Sequence, residues 1–441
     1  MQTSKKKAVV FYARDFLAQE FSRVGLQLTE FERVYIVVRK DEEELIQNND
    51  PKGHVFYLKN AESVQKSDFK VEETSIAFNN DRFLRFYDSR EVQAIVTGVH
   101  LLIAELSEKF QIVAYMDEPV SGYPNFSFNQ SFASQGALCL HFQPSWLPGL
   151  MFFSSDCAQR VVPKLNAMSN GVELAKHHIQ QRKSGLAVPL YVINYGGFWA
   201  RVKDIGLTAA KGLYRKMFRK TSYYLDRDTS AHLFHCKSLL ASFKGGYLSK
   251  QEASQLKGRY VLFPLHYEPE AVLNYFSPFK RQVEIAEKIL DSLPEGYQLI
   301  VKEHPSQPGA LNLSKWQELV KSKRVIKVAG SDNARFFLGL DVVVVSIGST
   351  LALEAAMAGL PVGVLGSVHF AEMPGISHLN SPDEWIRLIH TKPAEESELV
   401  QWYGNFLNQT CFAGNFMKNK TDSQQICDVV RGLLKHEQAQ S

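Results

Sequence analysis

Three short segments in the second half of the chain gather the side-chain types that bind and release anions. The first is Lys302-Glu303-His304-Pro305, which follows the apolar run Gln298–Val301. A strand ending in this tetrad puts a cation, a carboxylate and an imidazole at the carboxyl edge of a sheet, and Pro305 stops the strand and sets the turn. The second is Ser346-Ile-Gly-Ser-Thr350, followed by Glu354 and by Gly359-Leu-Pro361. Here a buried strand turns through Gly348 into Ser349 and Thr350 at the start of a helix, whose free backbone amides and dipole attract an anion. Glu354 lies one helical turn beyond Thr350 on the same face, placed to accept hydrogen bonds from ribose hydroxyls. The third is His266-Tyr-Glu268-Pro-Glu270, closing the apolar run Tyr260–Phe263. Each segment alone has a plain alternative, a solvated polar strand end or an ordinary Ser/Thr helix cap. Three of them at one sheet edge point to one site, and the chemistry is that of a nucleotide phosphate.

The elements that must position these residues are alternating strands and helices. In the second half the runs 260–263, 298–302, 325–328, 341–346 and 361–365 read as strands, and 280–293, 334–340 and 350–358 read as helices. The first half shows the same plan, with strands expected at 8–12, 34–38, 94–96 and 112–115 and helices at 16–24 and 101–110. Strands apolar on both faces and joined by helices make parallel sheets. The fold class is therefore α/β, with two Rossmann-like doubly wound domains facing a cleft. The domains are expected at 1–245 and 258–405, joined through Gly245, Gly246 and the polar segment ending at Gly258, with a helical segment 406–441 packing back on the first domain.

Composition narrows the classes. Of 441 residues, 45% are hydrophobic and 22% charged, which is a globular balance. Five thinly spread cysteines, with no Cys-x-x-Cys and no metal-ligand spacing, fit a reduced cytoplasmic protein, and the opening MQTSKKK is not followed by an export signal's apolar core. Residues 119–155 contain no Asp, Glu, Lys or Arg, but Pro119, Pro124, Pro144 and Pro148 forbid one spanning helix. The uncharged stretch 185–200 falls short of the roughly 20 residues a bilayer crossing needs. The net charge is +4, and residues 201–220 hold seven basic residues against the single acid Asp204, so the positive excess is local. A nucleic-acid-binding chain would spread it over a broad face, and no nucleic-acid partner is expected. Phe198, Trp199, Tyr214 and Phe218 interleave with these cations in a basic segment, 196–224. That pattern suits an anionic membrane surface met through 185–220, a solvated interdomain helix, or a polyanionic glycan.

Residues 258–366, with FPLHYEPE, VKEHP and VVVVSIGSTLALEAAMAGLPVGVLG in order, resemble the capsule polysaccharide biosynthesis family of bacterial glycosyltransferases. That family includes transferases of β-linked Kdo (3-deoxy-manno-octulosonate). At its His-Pro and Ser/Thr motifs it is similar to bacterial sialyl- and polysialyltransferases. The resemblance implies a GT-B fold with the sugar nucleotide in the C-terminal domain, a CMP-sugar donor and no resident cofactor or metal. It implies that His304 and Pro305 contact the cytidine monophosphate, that Ser349 and Thr350 hold its phosphate, and that Glu354 is the glutamate of the donor site. Lys302, Glu303, His266 and Glu268 complete the expected donor-binding set. A helix N-terminus and a cationic His304 would stabilise the leaving nucleotide, and His304 would serve as general acid.

The catalytic carboxylate is expected from the first domain. Asp117-Glu118-Pro119 closes a strand against the uncharged stretch, where an apolar wall raises a carboxylate's pKa. Glu118-Pro-Val-Ser-Gly122 loosely matches the acidic motif of sialyltransferase-like enzymes, so Glu118 ranks first, Asp117 second and Asp156 third. The group would act as base in an inverting enzyme or as nucleophile in a retaining one. The implied activity is transfer of Kdo or a related nonulosonate from a CMP-sugar to a glycan or glycolipid acceptor, by a cytoplasmic enzyme peripheral on the inner membrane face. The rivals are a UDP-sugar-dependent GT-B transferase or epimerase, and a non-catalytic capsule-assembly subunit.

Overall fold

The computed structural model describes residues 5–58, 71–81, 84–87, 89–156, 159–164, 168–183, 198–218, 236–268, 270–414 and 423–440. The chain divides into two compact units, Met1–Gly171 with Asn405–Ser441, and Val172–Gly404. Each is an α/β unit built on a largely parallel sheet.

The first unit contains β1 (Lys6–Tyr12), β2 (Glu32–Val37), β3 (His54–Tyr57), β4 (Phe110–Asp117), β5 (Leu138–Pro144), β6 (Leu150–Ser154) and β7 (Val161–Val162). Strands β3-β2-β1-β4-β5 run parallel in that order; β6 then pairs antiparallel with β5, and β7 and Phe412–Ala413 pair antiparallel with β6. Residues Ala8–Tyr12 are fully buried, as a central parallel strand requires. The expected strand at 94–96 is instead part of the helix Ser89–Lys109. Val92, Val96, Val99, Ile103 and Leu106 are buried at three- and four-residue spacing, and that helical period overrides the short β-branched run. The uncharged stretch becomes the helix Tyr123–Ser134, begun by Pro124, and strands β5 and β6. The C-terminal helix Ser423–Gln440 lies on the helix Phe16–Gln27: the Cys427 thiol donates to the Val24 carbonyl at 3.2 Å, and Arg431 pairs with Glu30 at 2.6 Å.

The second unit contains β8 (Arg259–Pro264), β9 (Tyr297–Lys302), β10 (Val325–Val328), β11 (Asp341–Ser346), β12 (Val362–Val364) and β13 (Ile376–His378), all parallel. Their order, β10-β9-β8-β11-β12-β13, is that of a doubly wound Rossmann-like sheet, with the reversal between β8 and β11. Valines 343 and 345 of β11 pack with Val261, Phe263, Leu299, Val301, Trp316 and Trp385.

The boundary falls at Gly171, well before the expected joint at 245–258. The helix Gly171–Lys183 is tied into the second unit by His178, whose Nδ1 meets the Tyr403 hydroxyl at 2.8 Å, and by Arg182, paired with Glu354. The segment around 238–245 is stitched to the loop after β9. Ser238 Oγ donates to the Pro308 carbonyl, and Asn312 Nδ2 donates to the carbonyls of Ala241 and Gly245. Gly309, at φ 86°, permits this approach, because a Cβ there would lie 2.1 Å from the Ser238 carbonyl oxygen.

The basic segment forms the helix Phe198–Phe218. Residues 184–197 and 219–235, with Arg219 and Lys220, and the side chains of Phe198, Arg201, Lys211, Arg215, Lys216 and Phe218 lie outside the described residues. Among the described residues no helix is long and apolar enough to cross a membrane.

Candidate functional site

In an open parallel sheet, loops at the carboxyl ends of the strands that flank the reversal form the ligand crevice. In the second unit those loops follow β8 and β11, beside the loop after β9. The loop after β8 is held by Gln282, which is buried: its Oε1 accepts the His266 N–H at 2.7 Å, and its Nε2 donates to the His266 carbonyl at 3.1 Å and to Glu268 Oε1 at 2.9 Å. Gln307, from the loop after β9, accepts the Glu268 N–H at 2.9 Å, and Glu268 Oε2 pairs with Lys315. Glu268 is thus a brace between two loops.

Lys302 and Glu303 do not face outward as expected of donor-binding groups. Both are buried. The Lys302 ammonium donates to the Gly330 carbonyl at 3.1 Å and to the Glu303 carbonyl at 3.3 Å, and burial draws its pKa down to about 8 against the pull of Asp332 and Glu303. The Glu303 carboxylate accepts from the Tyr247 hydroxyl (2.7 Å) and from the amides of Leu311 (2.9 Å) and Gly309 (3.1 Å); burial raises its pKa, opposed by these donors. A loop that buries its own amides needs an acceptor inside, and Glu303 supplies it. These two residues hold the loops after β9 and β10 in place.

His304 sits beyond them, partly exposed, with Pro305 after it. Its Nδ1 accepts the Ser306 N–H at 3.1 Å, which leaves Nε2 as the protonated nitrogen of the neutral ring, and the Tyr267 ring stands edge-on at 6.1 Å. Burial, and then the nearby Lys302 cation, lower its pKa to about 4. Such a shift favours the neutral imidazole at pH 7, where the resemblance implies a cation. His266 is 5% exposed, and neither ring nitrogen has a hydrogen-bond partner of full geometry. Burial depresses its pKa to about 3, the nearby His304 adds to this, and the Gly348 backbone opposes it. These neighbours of His266 bring the three expected segments together: the ends of β8 and β9 and the turn after β11.

In that turn Ser349 is the helix cap. Its N–H donates to Ser346 Oγ at 2.9 Å, and its Oγ accepts the Leu351 N–H at 3.1 Å. The capping bond uses the oxygen and leaves the hydroxyl hydrogen free to donate. Thr350, at the first helical position, is exposed. Glu354 does not offer its carboxylate to a ribose as expected. Oε1 accepts from Arg182 Nη1 at 2.6 Å and Oε2 from Arg335 Nε at 3.0 Å, so both oxygens are held by guanidiniums. The sequence reading missed Gln282, Gln307, Lys315, Arg182 and Arg335, none of which sits in a motif.

In the first unit the reversal lies between β1 and β4, and their ends carry Arg14 and Asp117-Glu118. Asp117 is fully buried and accepts from the Tyr115 hydroxyl (2.6 Å), Asn125 Nδ2 (2.7 Å) and the Glu118 N–H (2.7 Å). Burial lifts its pKa to about 7 despite Arg14, Tyr115 and Asn125. Glu118 is more accessible: Oε1 accepts from Ser121 Oγ at 2.8 Å and pairs with Arg14, which also reaches Ser121 Oγ at 3.1 Å. Asp156 makes a surface pair with Arg160 at 3.0 Å instead. Arg14 was missed because the strand before it was read only for its apolar residues. Among the described residues no three His, Cys, Asp or Glu side chains gather as metal ligands would.

A family model described as capsule polysaccharide biosynthesis protein matches residues 214–416, which include every element of the second unit's sheet and all three candidate segments. The match spans just under half of the chain. Among solved structures, the chain is similar to the β-Kdo 2,7 transferase of Thermosulfurimonas dismutans KpsC at 10% identity and TM-score 0.38, over 91% of this chain and 99% of that one. The β-Kdo 2,4 transferase of the same KpsC matches at 12% identity and TM-score 0.34, over 76% and 88%. A UDP-N-acetylglucosamine 2-epimerase from Listeria monocytogenes, itself described as putative, matches at 12% identity and TM-score 0.27, over 99% and 98%. A search of curated proteins finds no match. The family match and the converging strand ends fall on the same residues.

Proposed function

We propose that this protein is a glycosyltransferase of capsule polysaccharide synthesis. It transfers Kdo or a related nonulosonate from a CMP-sugar to a glycan or glycolipid acceptor, at the cytoplasmic side of the membrane and without a metal. The observation that carries the reading is the buried His266 imidazole, without a hydrogen-bond partner of full geometry, set beside His304 and the Gly348 turn. A buried imidazole at a ligand crevice is placed to meet an acceptor such as a phosphate oxygen.

The chemistry follows from the proton inventory. Neutral His304 presents Nε2–H, and the Ser349 hydroxyl and the helix start add donors, so a phosphate is met by hydrogen bonds. A phosphate beside the ring favours the imidazolium and raises the depressed pKa of His304. His304 then takes up a proton on donor binding and can release it to the departing nucleotide phosphate as the glycosidic bond breaks. Lys302, Glu303 and Glu268 position the loops that carry these donors, and the Arg182–Glu354–Arg335 cluster positions the helix. Glu118, paired with Arg14, is assigned as the carboxylate that activates or attacks.

Incubation with CMP- and UDP-sugars, following the free nucleotide released, tests the reading. Release of CMP, thermal protection by CMP but not UDP, and no effect of a chelator are expected. Release of UDP alone, or no release from any sugar nucleotide, overturns it.

A further inference from the structure

The helix Phe198–Phe218 turns an apolar face to solvent. Trp199 is 78% exposed, Met217 64%, Leu213 59%, Leu207 and Tyr214 50% each, and Val202 39%. Positions 199, 202, 206, 210, 213 and 217 follow the three- and four-residue helical repeat, and 207 and 214 lie beside them. Gly206 and Ala210, also exposed, add no polar side-chain atom to the stripe. At 1.5 Å per residue the face is roughly 30 Å long. Thr208, on the opposite side, is buried, so the helix has a packed face and this one is a second, separate face. Large contiguous apolar patches on a protein surface mark a binding surface.

Charge identifies the occupant. Residues 201–220 carry seven Lys and Arg and one acid, and Lys203 is exposed within the stripe. We propose that this face docks on an anionic bilayer surface, the helix lying in the headgroup plane with Trp199, Leu213 and Met217 entering the acyl boundary. An apolar stripe with aromatic residues, embedded in a strongly cationic segment, is the composition of an interfacial helix. A second copy of the chain suits the face poorly, because pairing would bring two segments of the same strong positive charge together. The apolar stripe likewise gives a polyanionic glycan nothing to bind. The surface is independent of the transferase reading.

The test is co-sedimentation of the full chain with vesicles of phosphatidylglycerol and phosphatidylcholine in equal parts, and with phosphatidylcholine alone. Binding to the anionic vesicles is expected, weakened by high salt. Tryptophan emission should shift to the blue in a way that is lost in Trp199→Phe. The double variant Leu213→Asp with Met217→Asp should bind about tenfold or more weakly, each acid adding charge repulsion to lost apolar contact, while its thermal midpoint stays that of the native chain. Equal binding to neutral vesicles, no binding to either, native-like binding by a folded double variant, or a solution dimer that the double variant splits would overturn the proposal.

Discussion

The two units reverse strand order at the same place in their sheets, yet their strand ends are electrostatic opposites. In the first unit the ends of β1 and β4 bring together charged groups that satisfy one another, Arg14 with Glu118, and Asp117 with Tyr115 and Asn125. In the second, the ends of β8 and β9 bring two imidazoles together, His266 and His304, while the charged Lys302 and Glu303 beneath them are occupied by loop carbonyls and amides. One crevice is preset with charge and closed upon itself. In the other the two imidazoles are drawn toward their neutral form by burial, and His304 also by the Lys302 cation. A shared topology therefore fixes where a site forms, while the side chains at the strand ends decide whether charge belongs to the protein or to what it binds.

The largest effect should come from breaking the charged end. Glu118→Gln should lower nucleotide release by about 10³-fold or more while nucleotide binding is kept, a split read by steady-state kinetics against thermal shift. His304→Ala should cost about 10²-fold in release. It should also abolish the proton taken up on nucleotide binding near pH 6, measured by calorimetry in buffers of different ionisation enthalpy. Uptake that persists in His304→Ala would place the titrating group elsewhere.

The same contrast predicts opposite pH responses. His266 and His304 have folded pKa values of about 3 and 4, below the unfolded value near 6.5, so their stabilisation is present above pH 6.5 and is lost as pH falls toward 4. Asp117, raised to about 7 from near 3.8, acts in reverse: its contribution is full below pH 4 and is lost as pH rises through 7. Urea titrations should therefore show a shallower acid-side fall in stability for His266→Leu than for the native chain, and a steeper one for Asp117→Asn. Gln282→Ala, which frees the loop after β8 and leaves a buried amide and carbonyl unpaired, should cost about 1–3 kcal/mol by the same titration and weaken nucleotide binding. The smallest effect is expected of Asp156→Ala, which removes a surface pair: within about 0.5 kcal/mol, with release unchanged.

Much of the second unit was legible before its structure. The valine run of β11 and the Ser-x-Gly-Ser-Thr turn can hardly be anything but a buried strand feeding a helix, and the structure brings His266 near His304 and the Gly348 backbone. What could not be read were partners distant in sequence. Arg182 lies 172 residues from Glu354, so nothing local says that Glu354 is already occupied. Lys302 and Glu303 look like ligand groups because they are charged and follow a strand; only the folded loops show buried amides and carbonyls that need them. In the first unit, three apolar residues at 94–96 mimic a strand until the longer helical period around them is counted. The joint at Gly171 escaped notice because no run of glycine or proline marks it.

The chain leaves the first unit at Gly171 and returns to it at Asn405, which makes the second unit an insertion within the first. During synthesis the residues of the second unit are all available before the strand Phe412–Ala413 and the helix Ser423–Gln440 that finish the first. The second unit therefore has its whole sequence made before the first unit receives its last helix. A chain cut after residue 404 and free of the ribosome would hold the sheet of the second unit and an open first one, exposing the apolar side of the helix Phe16–Gln27.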